Sequence, residues 1–272
     1  MNLTFKIITN RNQNRTTTMT IQIKGLYMST CARRGFTVAE ELGVAYELVP
    51  VDFAKGEHKS PEYREKYQPF GQIPVLIDGD FQVFESRAIS RYIADAHGKA
   101  DNTLYPKDAK KRALVEQWIS VEQSHFNCVD AIVGQLLFAP MFGGQPNQQI
   151  VADNDVKFKT TMAILDKHLS THKYFAGEDF TLADVVYLPY TDYLLKTKEY
   201  SNSLDNYPNF KAWWERCSSR PSWQKNSLLF FFVSRSGSRC IIDARGKYML
   251  VIKPRVKILI VDDCDVTIIF LA

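Results

Sequence analysis

Three consecutive residues offer reactive groups at the predicted start of a helix: Ser29, Thr30 and Cys31, within the stretch GLYMSTCARRGF at residues 25–36. A hydroxyl at this place could donate a hydrogen bond to the sulfur of a bound ligand, whereas the thiol could form a mixed disulfide with it. Thiols near helix N-termini are the ones whose pKa is depressed. The sequence therefore predicts a functional site here. It does not decide between hydrogen bonding by a hydroxyl and covalent exchange by the thiol.

A second group of polar residues follows a predicted hairpin. Residues 75–77 and 81–84 flank the sequence Asp-Gly-Asp, in which glycine supplies the positive φ that tight turns require. Glu85 and Ser86 then stand where a helix begins. A serine at a helix N-terminus can offer its hydroxyl and its backbone N–H to a carboxylate, which the helix dipole favours. The same serine could instead cap only its own helix.

The elements that must position these residues form the pattern of a small α/β domain. Residues 20–26 largely alternate apolar and polar side chains, as a half-buried strand does. Residues 36–42 follow with helical spacing and Gly43 as the C-cap, and residues 46–51 form a second strand. Together with the hairpin and its helix, the order β-α-β-loop-β-β-α over residues 19–99 predicts a thioredoxin-like domain.

Two details of this domain predict the surroundings of its elements. Pro50 in the second strand predicts an edge position, because proline cannot donate to a strand ladder. Glu40 and Glu41 fall beside the apolar positions of the first helix and are expected to face solvent.

Helical periodicity replaces strand patterns after a polar linker at residues 99–108. The segment TLAD at 181–184 is a capping-box variant, in which Thr181 accepts from a backbone N–H and Asp184 reaches back. We therefore predict an all-helical second domain over residues 106–226, and a fold of the α/β plus all-α class.

The two ends of the chain differ in character from this body. Residues 1–18 are free of acids and rich in Asn and Thr; this composition is compatible with a transit peptide, but we interpret the segment as a disordered extension upstream of Met19. Residues 227–272 contain apolar bursts of high β propensity. They could be a third small β element, a docked extension or sequence never selected to fold, and we favour the last interpretation.

Charge and cysteine content exclude several classes of protein. The net charge of +4 comes from the ends: residues 1–18 hold three basic residues and no acid, and residues 227–272 hold seven basic residues against four acidic ones. The body between them is mildly acidic, which does not support nucleic-acid binding. Five cysteines without a CxxC pair favour a reducing compartment, and no apolar run approaches the roughly 18 residues of a membrane span.

Five motifs together carry a family resemblance: MSTCARR, GEHKSPEY, PFGQIPVL, FESRAISRYI and FTLADVVYLPY. In this order they resemble cytosolic glutathione transferases, most closely the phi class of plants and fungi, over residues 19–226. The resemblance implies a thioredoxin-like domain that binds glutathione, a helical domain that forms a pocket for an electrophile, and a homodimer in the cytoplasm. It also implies glutathione as co-substrate, with no metal or organic cofactor.

The resemblance implies roles for the residues around the hairpin. Ile73-Pro74 resembles a cis-proline step that exposes the N–H and C=O of Ile73 to the cysteinyl backbone of glutathione, although an ordinary trans proline is the alternative. Gln72 resembles a further polar contact to the peptide. Glu85 and Ser86 resemble the pair that holds the γ-glutamyl end, with Ser86 at the carboxylate and Glu85 at the ammonium.

Further contacts are implied at both ends of the ligand. His58 and Lys59 resemble the pair that holds the glycyl carboxylate, although a basic pair in a polar loop is more often just surface. Met28 and Phe126 are candidates for the electrophile pocket. Either could instead belong to the core, which is the more common place for aromatic residues at helical spacing.

Ser29 matches the catalytic serine of the phi pattern, because it stands four residues before Arg33, the first arginine of the helix. Its implied role is to donate a hydrogen bond to the glutathione sulfur and favour the thiolate. Lowering a thiol pKa by about two units requires roughly 2.7 kcal/mol, which a charge-assisted hydrogen bond of about 1.5–3 kcal/mol and the helix dipole can supply. The stretch IKGLYMST departs from the usual strand-Tyr-Gly-x-Pro run before this serine.

The expected reaction is addition of the thiolate to a hydrophobic electrophile, by aromatic substitution, Michael addition or peroxide reduction. Thr30 could share the role of Ser29. Cys31 could instead support glutathione thiol transfer, although we expect it to point away from Ser29. A non-catalytic carrier of hydrophobic ligands with the same fold is the third possibility.

Overall fold

The computed structural model describes residues 20–53 and 55–227, and beyond them the backbone of five short strands. The first domain contains, in chain order, β1 (Ile21–Gly25), α1 (Thr30–Leu42), β2 (Tyr46–Pro50), a 3-10 turn (Glu57–Lys59), α2 (Pro61–Lys66), β3 (Val75–Asp78), β4 (Phe81–Phe84) and α3 (Ser86–Tyr92), which continues as a π-helical turn (Ile93–His97). Its sheet has the order β2-β1-β3-β4, with β1 and β2 parallel and the other neighbours antiparallel. The predicted thioredoxin-like domain is thus confirmed.

The local signals in the sequence explain where these elements start and stop. Ser29 caps α1, and Gly43 ends it in the left-handed conformation with φ 66°, which glycine adopts without steric cost. Pro50 closes β2, which lies at the edge of the sheet as predicted. Gly79 has φ 62° in the hairpin between β3 and β4.

The second domain is helical, as predicted. Its elements are α4 (Ala109–His125), α5 (Asn127–Val133), a π-helical turn (Gly134–Phe138), α6 (Ala139–Met141), α7 (Gln148–Leu169), α8 (Leu182–Val185), α9 (Leu188–Leu195), a 3-10 turn (Ser203–Asn206), α10 (Pro208–Ser218) and α11 (Pro221–Ser227). Its core is rich in packed aromatic rings, among them Phe175, which stacks on Tyr187 with ring centroids 4.3 Å apart. Within the described residues, none of these helices is long and apolar enough to cross a bilayer.

The predicted capping box is present at the start of α8. The Thr181 hydroxyl accepts a hydrogen bond from the Ala183 N–H at 3.2 Å, and Asp184 accepts from the Thr181 N–H at 2.8 Å. Asp184 also accepts from the indole N–H of Trp213 and the N–H of Phe175. Asp184 of the capping box therefore connects the N-terminus of α8 to Phe175 and Trp213 of the aromatic core.

Replacing Thr181 with alanine should lower the free energy of unfolding by about 1 kcal/mol, because the cap then leaves a backbone N–H of α8 without its acceptor. Thr181→Ser keeps the hydroxyl and should retain most of the stability. Urea unfolding followed by tryptophan fluorescence measures both variants. Equal losses in the two would assign the effect to the threonine methyl group and contradict the capping role.

The first helix lies between the two domains, and this overturns one prediction. Glu41 receives two hydrogen bonds of 2.7 Å from Arg220 and a short one from Ser222. Glu40 forms an ion pair with Lys225 at 2.8 Å. The expectation that both acids face solvent is wrong, because α1 packs against α3 and also against α8, α9 and α11.

Beyond residue 227 the described backbone consists of paired strands. Strands β5 (Phe230–Val233), β6 (Arg239–Ile242) and β7 (Met249–Val251) form one antiparallel sheet, and β8 (Lys257–Asp262) pairs with β9 (Asp265–Phe270). These strands coincide with the bursts of high β propensity. The interpretation of 227–272 as a non-native extension stays a prediction, and the proposed extension 1–18 lies outside the described residues.

Candidate active site

A cavity of about 370 Å³ brings the predicted binding residues together. All six residues assigned to glutathione line it: His58, Lys59, Gln72, Ile73, Glu85 and Ser86. The helical domain contributes Asp130 and Tyr190 to the same cavity. It therefore lies where the two domains meet, with most of its wall from the thioredoxin-like domain.

The loop before β3 offers an unpaired stretch of backbone to this cavity. The Ile73-Pro74 peptide bond is cis. Neither the N–H nor the C=O of Ile73 is hydrogen-bonded to another described residue. Tyr63 fixes Gln72, the residue before Ile73, because the Tyr63 hydroxyl donates to the C=O of Gln72 at 3.0 Å. An extended peptide can therefore pair with Ile73 as a further strand would.

The start of α3 presents a second binding feature. Glu85 has φ 71° and is the only non-glycine residue with positive φ in the described part of the chain; such a conformation costs on the order of 1–3 kcal/mol and is typical of functional sites. Ser86 is the first residue of α3, so its N–H has no acceptor within the helix. Its hydroxyl accepts from Arg34 at 3.0 Å, which leaves the hydroxyl hydrogen available for a ligand.

A buried charged cluster lies behind Ser86. Arg34 is 1% exposed and Glu122 is 3% exposed, and their side chains are 2.8 Å apart. Arg87 contacts the second oxygen of Glu122 at 2.5 Å. Burial alone would lower the pKa of Arg34, but the Glu122 carboxylate raises it above its ordinary value. Two guanidinium groups against one carboxylate make this cluster net positive, which favours a carboxylate bound at Ser86.

The basic pair in the loop before α2 is held by specific contacts. His58 stacks on Phe53 with ring centroids 3.8 Å apart, and its Nδ1 is buried without a partner among the described residues. Burial lowers the pKa of His58, and the neighbouring Lys59 lowers it further. The Lys59 ammonium donates to the C=O of Gly71 at 2.7 Å. Lys59 is exposed, but this hydrogen bond holds its ammonium at the cavity wall.

Ser29 and Cys31 occupy different places at the first turn of α1. The Ser29 hydroxyl accepts from the Ala32 N–H at 3.2 Å, and its hydrogen has no acceptor within residues 20–53 and 55–227. Ser29 is not among the residues that line the cavity, whereas Cys31 is. The Cys31 sulfur lies 3.7 Å from the guanidinium of Arg34. Cys31 therefore belongs to the wall of the cavity that also holds Ser86, and the expectation that it points away from Ser29 stays a prediction.

The two candidates for an electrophile pocket are placed elsewhere. Phe126 is 2% exposed and packs edge to face on Tyr187, with ring centroids 4.9 Å apart. It belongs to the core of the helical domain, so its assignment to the pocket is corrected. Met28 is half-buried, and its C=O accepts from the Tyr193 hydroxyl at 2.7 Å. It neighbours Ser29 in the chain but does not line the cavity.

A thioredoxin-like domain with a cis-proline loop, joined to a helical domain that closes the cavity, defines the class of the glutathione transferases. The chain belongs to the glutathione S-transferase family: the model of the N-terminal domain matches residues 26–95 and that of the C-terminal domain matches residues 129–221. The curated relatives from Arabidopsis thaliana and maize and the solved structures from poplar are plant enzymes of the phi class. The protein is therefore a phi-class glutathione S-transferase, which confirms the predicted family.

The match to individual relatives extends over nearly the whole length of each relative. Glutathione S-transferase F9 of Arabidopsis thaliana is 34% identical over 215 residues, 79% of this chain and 99% of that protein. The crystal structure of glutathione transferase F7 from Populus trichocarpa is 41% identical with a TM-score of 0.72, over 77% of this chain and 100% of the other. Glutathione S-transferase I from maize, solved with an atrazine glutathione conjugate, is 39% identical with a TM-score of 0.69, over 76% and 96%.

Proposed function

We propose that this enzyme conjugates glutathione to hydrophobic electrophiles, with the Ser29 hydroxyl stabilising the glutathione thiolate. The observation that supports glutathione binding most strongly is the convergence of all six assigned residues on one cavity. In the reaction the thiolate attacks an electrophilic carbon, and a carbon–sulfur bond forms. A leaving group departs in aromatic substitution, and a proton is taken up in Michael addition.

The tripeptide would lie along the wall of the thioredoxin-like domain. Its cysteinyl backbone pairs with Ile73, whose N–H and C=O have no partner among the described residues. Its γ-glutamyl carboxylate binds at Ser86 above the net positive cluster, and its ammonium binds Glu85. The glycyl carboxylate faces His58 and Lys59, with Gln72 as a further polar contact.

The state of the Ser29 hydroxyl supports its assignment to the sulfur. Its oxygen accepts from the Ala32 N–H, so the hydroxyl can still donate its hydrogen to a thiolate. The N-terminus of α1, a helix of 13 residues, adds the positive end of a helix dipole. Both interactions favour the anion over the thiol.

What two solved relatives bind supports a site that accepts glutathione with a substituent on its sulfur. The maize enzyme was solved with an atrazine glutathione conjugate, and another glutathione S-transferase I with lactoylglutathione. The direct experiment here is turnover of 1-chloro-2,4-dinitrobenzene and of an enone by the purified chain. Retention on glutathione resin without turnover of any electrophile would instead favour a ligand carrier.

Thiol transfer through Cys31 is the second candidate, and the place of Cys31 in the cavity wall favours it. The Cys31 thiolate would attack the glutathione sulfur of a protein mixed disulfide, form a Cys31–glutathione disulfide and release the protein thiolate. A glutathione thiolate would then attack the glutathione sulfur of that disulfide, which forms glutathione disulfide and regenerates the Cys31 thiolate. A mass increase of one glutathione on Cys31, with loss of this activity in Cys31→Ser, tests it.

Lys59→Ala should raise the KM for glutathione about tenfold with little change in kcat, because a charged hydrogen bond to the glycyl carboxylate is worth about 1.5–3 kcal/mol. Lys55→Ala is the matched control in the same loop, since the Lys55 side chain is 85% exposed and pairs only with Asp52 among the described residues. Steady-state kinetics at varied glutathione measures both. An equal effect of the two variants would contradict a specific role of Lys59.

We also propose a homodimer in a reducing compartment such as the cytoplasm. Large apolar side chains stand exposed, among them Phe70 and Leu114, and exposed apolar patches commonly mark interfaces. The described cysteines, Cys31, Cys128 and Cys217, are free thiols. Light scattering with size-exclusion chromatography tests the dimer: a mass of one chain at micromolar concentration would contradict it.

A further inference from the structure

Two carboxylates line the glutathione cavity, from opposite domains. Glu85 belongs to the thioredoxin-like domain and Asp130 to α5 of the helical domain. Neither forms an ion pair with any residue in the described part of the chain. Glutathione carries one ammonium group, and the proposed binding mode places it at Glu85. Glutathione therefore offers no cationic group to Asp130, and a cation that binds there must belong to the electrophile.

Asp130 and Tyr190 lie close to the first turn of α1, which begins one residue after Ser29. The Asp130 carboxylate interacts with the Tyr190 hydroxyl, and both residues share the cavity wall with Cys31 at the first turn of α1. The Tyr190 ring lies 5.7 Å from the guanidinium carbon of Arg34. Burial raises the pKa of Tyr190, and Cys31 and Asp130 raise it further, so this hydroxyl stays protonated. In the proposed binding mode the glutathione sulfur lies at Ser29, beside this turn, so an electrophile that reacts with it comes close to Asp130 and Tyr190.

The cations nearest to this wall make their close contacts with groups other than Asp130. Arg34 and Arg87 both contact the buried Glu122. The Lys59 ammonium donates to the C=O of Gly71. Asp130 is exposed to the cavity solvent, where it can attract a cation that arrives with the substrate.

We propose that Asp130 is a specificity-determining residue that favours electrophiles bearing an ammonium group, or another strong hydrogen-bond donor, close to the reacting carbon. The inference rests on the proposed conjugating function and refines its substrate class. The electrophile then combines an apolar body with one cationic or donor group. Because Asp130 is solvated, the preference is modest, about threefold to fivefold in affinity, and it falls with added salt.

A matched pair of conjugate analogues tests this without turnover: S-(2-aminoethyl)glutathione and S-propylglutathione, whose S-substituents have the same number of heavy atoms. Titration calorimetry of the full chain at low salt should show about threefold to fivefold tighter binding of the aminoethyl compound. Asp130→Asn should abolish that preference while leaving the affinity for S-propylglutathione nearly unchanged. Asp153→Asn, on the exposed part of α7, is the control and should keep the preference.

Each outcome decides between the two proposals. Equal or tighter binding of S-propylglutathione by the parent chain, or a preference that survives Asp130→Asn, overturns the role of Asp130 and leaves glutathione conjugation standing. Binding of neither analogue overturns the proposed glutathione site itself, and with it this refinement. If Asp153→Asn also loses the preference for the aminoethyl analogue, the preference does not arise from a charge in the cavity wall, and the role of Asp130 is contradicted.

Discussion

Replacing Ser29 with alanine should lower kcat/KM for conjugation about 100-fold at neutral pH and leave the affinity for glutathione nearly unchanged. The reason is that the proposed contact of this hydroxyl with glutathione is at the sulfur alone. A loss of about 2.7 kcal/mol corresponds to a rise of about two units in the pKa of the bound thiol. The pH–rate profile of the variant should therefore shift upward by a similar amount, with activity recovering in alkaline solution.

Two other substitutions separate chemistry from helix capping. Ser29 also caps α1, and losing a cap costs about 1 kcal/mol of stability, so each variant needs an unfolding curve. Ser29→Thr keeps both the cap and the hydroxyl and should retain most of the activity. Cys31→Ser should retain conjugation if Ser29 is the catalytic residue. Full activity in Ser29→Ala with loss in Cys31→Ser would reverse the assignment.

Glu122→Gln should lower the free energy of unfolding by about 3–5 kcal/mol, because it leaves the buried charge of Arg34 without its counter-ion. Arg34 and Glu122 are almost fully buried, and the glutamine cannot neutralise either guanidinium. The KM for glutathione should also rise, since Arg34 supports the Ser86 hydroxyl. Urea unfolding and glutathione kinetics measure the two effects.

The same helix offers a matched control for that variant. Glu116 pairs with Arg91 at 2.5 Å, but their side chains are 34% and 29% exposed. Glu116→Gln should cost no more than about 1 kcal/mol, because solvent screens an exposed pair. If the two variants cost the same, the buried cluster does not stabilise the fold as argued.

Local chemistry in the sequence predicts much of the first domain. Gly43 ends α1 and the Asp-Gly-Asp turn closes the β3–β4 hairpin because glycine alone reaches those φ values easily. The capping box at Thr181 likewise depends on residues three apart in the chain. Most of the assigned glutathione contacts lie in such local motifs, which is why the family resemblance could assign them together.

Contacts between distant segments could not be predicted. Arginine is rarely buried, and Arg34 is neutralised by Glu122, 88 residues away in the sequence. Helical periodicity predicts that Glu41 faces solvent, because it carries no information about Arg220, which lies 179 residues further along the chain. Asp130 lies in none of the five motifs, and Tyr190 ends the motif FTLADVVYLPY without a predicted role; only the packing of the two domains brings both residues to the cavity.

The ionisation of bound glutathione tests the central claim most directly. Ultraviolet titration of the thiolate should give half-ionisation about two pH units below that of free glutathione in the parent chain, and close to the free value in Ser29→Ala. If bound and free glutathione ionise at the same pH in the parent, or if Ser29→Ala titrates like the parent, then Ser29 does not stabilise the thiolate.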